Sequence, residues 1–144
     1  MEDLSILEDH FKKAGAYGTY NYCFSTQIES SLLPSLFGAV GGVAEVMKNK
    51  KVMGYLLNQY DQGICLIPVV ADTLTKNKID DENPIIINQD KIDKVVIKND
   101  LNGYLIRITL KDKTKYRLRT LKKIKKVPYH EKNLNQFIKI YKKD

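Results

Sequence analysis

The hydrophobic positions of this chain change period several times, and each change marks an element. Residues 1–15 open with a short amphipathic helix over 3–13: Leu4, Leu7 and Phe11 share a face, Lys12 and Lys13 end it, and Gly15 suits the stop. Residues 19–28 then alternate with period two. Tyr20, Tyr22, Phe24 and Ile28 fall on one face and Thr19, Asn21, Ser25 and Gln27 on the other, the pattern of a half-buried strand. Residues 32–48 break the alternation. Leu33, Phe37, Val40, Ala44 and Met47 recur at three- and four-residue steps, and Glu45 is the one charge among residues 32–47, which predicts an apolar helical insertion over 32–48. Pro34 suits a first helical turn. Gly38, Gly41 and Gly42 each cost up to about 1 kcal/mol relative to Ala, so something must cover this insertion to hold it folded.

From residue 52 onward, strand signals follow one another in pairs. Residues 52–59 and 64–70 flank Tyr60-Asp61-Gln62-Gly63, a turn sequence, and predict a hairpin in which Pro68 marks an edge or an irregular strand end. Residues 71–83 are polar and read as a loop, and residues 84–88 and 92–98 as two short strands. Leu101-Asn102-Gly103 turns into residues 104–111, because Asn and Gly accept the positive φ of tight hairpins, and Asp112-Lys113-Thr114 turns into residues 115–120. In this last hairpin Ile106, Ile108, Leu110, Tyr116 and Leu118 alternate with Arg107, Thr109, Lys111, Lys115, Arg117 and Arg119, giving one core face and one basic face. Residues 131–143 close the chain with a helix whose Leu134, Phe137, Ile138 and Tyr141 fall at i, i+3, i+4 and i+7.

One strand, a bulky connection, six strands in hairpins and a terminal helix predict a mainly β, α+β domain over residues 1–144. Its seven antiparallel strands would form two orthogonal sheets, or a partly open barrel, stoppered by the C-terminal helix. Tyr55-Leu56-Leu57 with Gly63-Ile64-Cys65-Leu66-Ile67-Pro68 resembles the hairpin of the pleckstrin-homology-like superfamily that ends in an apolar-Pro step. Residues 92–97 and 105–120, with their Lys-Asp-Lys-Thr turn, are similar to its central and final hairpins, and residues 133–141 to its capping helix. The resemblance covers about residues 17–143 and is nearest to the small bacterial members of that superfamily. It implies a seven-stranded, partly open barrel that binds phosphoinositides, peptides or proteins rather than one that catalyses. Lipid-binding members use a Lys-x(n)-Lys/Arg-x-Arg pattern across the first hairpin. Here residues 27–55 carry Lys48, Lys50 and Lys51 but no Arg, and the insertion interrupts them, so that lipid pocket does not carry over.

Charge changes the picture more than composition does. The net charge is +7; residues 105–144 hold 14 Lys or Arg against 3 Asp or Glu, whereas residues 1–104 hold 10 against 14. A hydrophobic content of 43 % is enough for a core and excludes a disordered chain, and no apolar run approaches the roughly 18 residues of a membrane-spanning helix. Met1-Glu2-Asp3 lacks the order of a secretion signal, and Cys23 and Cys65 sit in apolar surroundings as reduced core thiols, so a cytoplasmic location is expected. His10 and His130 have no partner at metal-binding spacing and read as surface or capping residues. Asp80-Asp81-Glu82 lacks the pattern of a calcium loop and reads as a solvated loop. Residues 38–42 are Gly-rich but precede no Gly-Lys-Ser/Thr, and Cys23 has no His beside it to act as a base. No catalytic residue, cofactor or metal is assigned.

The expected function is therefore that of a non-catalytic interaction module. Leu33, Phe37, Val40 and Met47 would pack against a protein partner or a second copy of the chain, because so apolar a stripe needs covering. The alternative is a peripheral module on an anionic membrane surface, with Lys48, Lys50 and Lys51 joined by Lys122, Lys123, Lys125 and Lys126 against the lipid. Nucleic-acid binding across Arg107, Lys111, Lys115, Arg117 and Arg119, with Tyr17, Tyr20, Tyr22, Tyr104 and Tyr116 stacking on bases, ranks last. Lysine predominates over arginine in this chain and gives diffuse charge rather than bidentate contacts.

Overall fold

A computed structural model describes residues 4–29, 52–71 and 77–142. The predicted insertion over 32–48, with Leu33, Phe37, Val40, Met47, Lys48, Lys50 and Lys51, lies outside the described residues. Helix α1 (Leu4–Lys13) leads into β1 (Tyr22–Ile28), followed by β2 (Val52–Tyr60), β3 (Gly63–Ala71), β4 (Asn77–Ile79) and β5 (Ile85–Asn88). A short 3-10 turn (Gln89–Lys91) then precedes β6 (Ile92–Asp100), β7 (Gly103–Leu110), β8 (Lys115–Leu121) and the C-terminal helix α2 (Pro128–Tyr141). Every strand pairing among the described residues is antiparallel.

The strands form one open sheet in the order β4-β3-β2-β1-β8-β7-β6, with β5 sharing the β4 side of β3. Strand β1 joins the halves by pairing with β2 along most of its length and with β8 at Gln27 and Ile28. Alternation sends Phe24, Leu57, Ile64, Leu66 and Ile87 from one half, and Ile97, Ile106, Ile108 and Leu118 from the other, into one buried cluster. Leu134 and Phe137 of α2 complete that cluster, and the Phe137 ring meets Phe24 edge-on at 5.2 Å between centroids. A second cluster lies on the outer face of β1–β2–β3. There Leu7 and Phe11 of α1, with Ala16, cover Cys23, Leu56, Cys65 and Ile67.

Several expectations need correction. The region read as a loop, residues 71–83, contains β4, which makes eight strands rather than seven; its three residues are too few and too polar to show a period. Strand β1 starts at Tyr22 rather than residue 19, because Asp61 accepts the backbone N–H groups of Thr19 (2.8 Å) and Tyr20 (3.0 Å) and holds them out of the ladder. Helix α2 starts at Pro128, not residue 131, since proline is tolerated at a helix's first position. Pro68 lies inside β3, opposite Tyr55 of β2, yet costs the sheet little. Its carbonyl accepts Asp80 N–H (2.8 Å) on the opposite edge, where β5 has ended and β4 begins, so its missing N–H also faces that break.

Candidate interaction surface

The outer face of β6–β7–β8 is built by the alternation that fills the core. Because Ile97, Ile106, Ile108 and Leu118 point inward, their neighbours point out and line up in rows. Register sets Lys94, Thr109 and Lys115 in one row, Val96, Arg107 and Arg117 in the next, and Lys98, Leu105 and Arg119 in the third. Lys94, Lys98, Lys115 and Arg117 are exposed. The two other cations are engaged. Arg119 Nε donates to Asp100 Oδ2 at 2.7 Å, and Arg107 Nη2 donates to Glu29 Oε1 at 2.8 Å.

Glu29 anchors this face from the end of β1. Its side chain is 2 % exposed against 39 % for Arg107, and its backbone N–H donates to the Arg117 carbonyl at 3.0 Å. Glu29 Oε2 and Arg107 Nε have no hydrogen-bond partner among the described residues. Sequence reasoning singled out neither Glu29 nor Asp100. Alternation located their arginine partners, but Glu29 and Arg107 stand 78 positions apart and leave no local signal.

The connection from β8 to α2 extends the positive charge beyond the strands. Lys122, Lys123, Lys125 and Lys126 are all exposed. The bend is fixed by Lys126 at φ 67° and by the Val127 N–H donating to the Ile124 carbonyl at 2.9 Å. It borders a shallow, open hollow of about 220 Å³ with Glu131 on its wall. Lys122 N–H donates to the Asn102 carbonyl at 3.0 Å, and its ammonium lies 5.4 Å from the Tyr104 ring centroid. The lysine bend and the β6–β7 turn thus share one end of the sheet.

The chain matches no family model, no curated protein and no solved structure.

Cys23 and Cys65 are free and buried, and burial pushes both thiols up to about 12, far from a nucleophile's range. They face the same side of the sheet across Asn58, in a row over three strands. Two interstrand spacings put them roughly 9–10 Å apart, beyond disulfide reach. His130, expected as a surface or capping residue, is buried instead, and Val127 stands at the helix cap. Its Nε2 donates to the Leu121 carbonyl at 2.8 Å, and burial holds its pKa below the usual histidine value. Asp81, expected to be free in a solvated loop, accepts His10 Nδ1 at 2.8 Å and Lys13 Nζ at 3.1 Å. The first of these bonds is the main cause of its lowered pKa.

The tyrosines do not gather on the basic face. Tyr104 and Tyr116 pack against the inner core, and Tyr17 lies under Lys12 near α1. A groove of about 750 Å³ runs between β5 and the β7–β8 turn, lined by Ile85, Ile86, Leu110 and Tyr116, with Asp90, Lys91, Lys111 and Asp112 among its charges. Among the described residues no group of three or more His, Cys, Asp or Glu could hold a metal ion. No helix among them is long and apolar enough to cross a membrane.

Proposed function

We propose that this chain is a non-catalytic interaction module with a pleckstrin-homology-like fold that docks on an anionic membrane surface in the cytoplasm. The observation that carries this reading is the cationic surface: six Lys or Arg on the outer face of β6–β7–β8, continued by four lysines in the adjoining bend, against Glu29, Asp93, Asp100 and Glu131. Such a surface attracts a plane of negative charge, and each lysine near it adds about 1 kcal/mol. The strand order and the helix that stoppers the inner core support the fold assignment, and two free buried thiols are in keeping with a reducing compartment. Nucleic acid fits less well, because Tyr104 and Tyr116 face inward and leave the basic face without aromatic platforms for bases.

Co-sedimentation of the full chain with phosphatidylcholine vesicles tests the reading. Binding is expected to rise as phosphatidylserine is added and to fall as salt is raised from 0.05 to 0.5 M (on the order of the range over which such charges become screened). Equal binding to neutral and anionic vesicles, or none to either, sinks it. A protein partner or self-association through Leu33, Phe37, Val40 and Met47 is the second reading, favoured by their apolar stripe. Light scattering tests it: a dimer mass that reverts to monomer in Phe37→Asp/Val40→Asp supports it, and an unchanged monomer removes self-association.

A further inference from the structure

Resting on the membrane reading, we infer that the β6–β7 turn is the element that enters the bilayer. Its Leu101 would be the inserted side chain, Leu121 its apolar shoulder, and the lysine bend the clamp on anionic headgroups. Leu101 is 75 % exposed, more than any other large apolar side chain among the described residues. The fold does not ask for leucine there. What the turn requires is Asn102 at φ 62° and Gly103, where a Cβ would strike the Thr120 carbonyl oxygen. Leu101 itself belongs to neither core cluster.

Leu121 stands beside the turn. It lies opposite Gly103 in the β7–β8 ladder, is 42 % exposed, and precedes the Lys122 N–H that bonds the Asn102 carbonyl. Two leucines therefore crown one end of the sheet, with Lys122 tied to the turn and Lys123, Lys125 and Lys126 following. Of the nearby acids, Asp100 is spent on Arg119, while Glu131 lies on the wall of the bend. An apolar tip beside cations is the arrangement that interfacial binding needs: hydrocarbon below the headgroups, ammonium groups level with them. Two leucines among lysines are too little apolar area to anchor a protein interface of ordinary size.

The test uses the full chain and vesicles of phosphatidylcholine with or without phosphatidylserine. Leu101→Ser is expected to weaken binding to anionic vesicles about tenfold, in line with withdrawing a partly buried leucine. Lys122→Gln/Lys123→Gln is expected to weaken it about 25-fold, at about fivefold per lysine. Cys23 and Cys65 are buried, so Leu101→Cys and Thr114→Cys give single accessible sites for an environment-sensitive dye. The dye at position 101 should shift to the blue on anionic vesicles; at position 114, in the turn at the other end of β7 and β8, it should not. If the parent chain binds anionic vesicles while Leu101→Ser binds equally and neither dye shifts, insertion is overturned and the membrane reading survives. If the parent chain ignores anionic vesicles, both fall.

Discussion

The two halves of the sheet have outer faces built by the same alternation and finished in opposite ways. On β1–β2–β3 the outward positions are Cys23, Leu56, Cys65 and Ile67, and α1 lies over them with Leu7 and Phe11. On β6–β7–β8 the outward positions are Lys94, Lys98, Arg107, Lys115, Arg117 and Arg119, and the free ones meet water. A strand buried on both faces loses its period, which is why β3 reads Gly63-Ile64-Cys65-Leu66-Ile67-Pro68-Val69-Val70-Ala71, almost without a polar residue. A strand buried on one face keeps it, as Lys115-Tyr116-Arg117-Leu118-Arg119 does. The difference teaches that one half of this molecule buries both faces of its strands while the other leaves one face to water.

The covered face holds its strap by polar bonds as well as packing. Buried Asn58 donates to the Ala16 carbonyl at 2.8 Å and accepts from Cys23 Sγ at 3.2 Å. Asp61 holds the next residues through two backbone N–H groups, and those bonds keep its pKa below the usual carboxylate value. Breaking this half should therefore hurt most. Phe11→Ala removes a fully buried ring and is expected to cost about 3–5 kcal/mol in guanidinium unfolding. Arg117→Ala, on the displayed face, should stay within about 0.5 kcal/mol. Similar losses for the two would end the contrast.

The ion pair beneath the displayed face sharpens the comparison, because among the described residues it is where that face hides a carboxylate. Arg107→Ala strands the Glu29 carboxylate, and about 2 kcal/mol of stability should go with it. That is less than the roughly 3–5 kcal/mol of a fully buried pair, since Arg107 reaches water. Glu29→Gln/Arg107→Met should recover part of the loss, and a double-mutant cycle should return a coupling on the order of 1 kcal/mol. If Arg107→Ala proved neutral, Glu29 would be no more anchored than a surface acid.

How much of this was legible beforehand follows from the same contrast. Strands β1 to β8 apart from β4, both hairpin turns of the basic half, and the two helices show in local pattern and turn chemistry. Asn102 and Lys113 take positive φ at the turns the sequence marked, and Phe137 and Leu134 fill the core from the stripe that predicted them. Partnerships over long separations do not show. Nothing local tells that Asp81 will reach His10 71 positions away, or that Glu29 will be buried beneath Arg107. Strand β4 escaped because three residues carry no period. His130 was misplaced because one polar residue ahead of an amphipathic stripe reads as a cap, whereas its ring packs edge-on to Phe24, 6.0 Å between centroids. As for the candidate surface, its cations were legible one by one, but only the register aligns them in rows. Leu101 was legible as a turn residue and not as an exposed apolar tip.

The smallest expected effect lies where the two halves meet. His130 comes from α2, bonds the Leu121 carbonyl at the end of β8, and abuts Phe24 of β1. Burial disfavours its charged form, so its pKa in the folded chain is below the ordinary 6.5; the carbonyl bond and Glu131 oppose that shift without reversing it. The unfolded chain therefore takes up the proton first as pH falls. Stability from this group is complete above about 6.5 and is lost from there downward, until the folded protein also protonates. Unfolding midpoints between pH 7.5 and 5 should fall in a His10→Gln background, where His130 is the remaining imidazole and most carboxylates stay ionised. His130→Gln, whose amide can still donate to the Leu121 carbonyl, should flatten that slope while lowering stability at pH 7.5 only modestly. An undiminished slope in His130→Gln would show that the imidazole stays wet, and that the seam between the covered half and the displayed half is open to water.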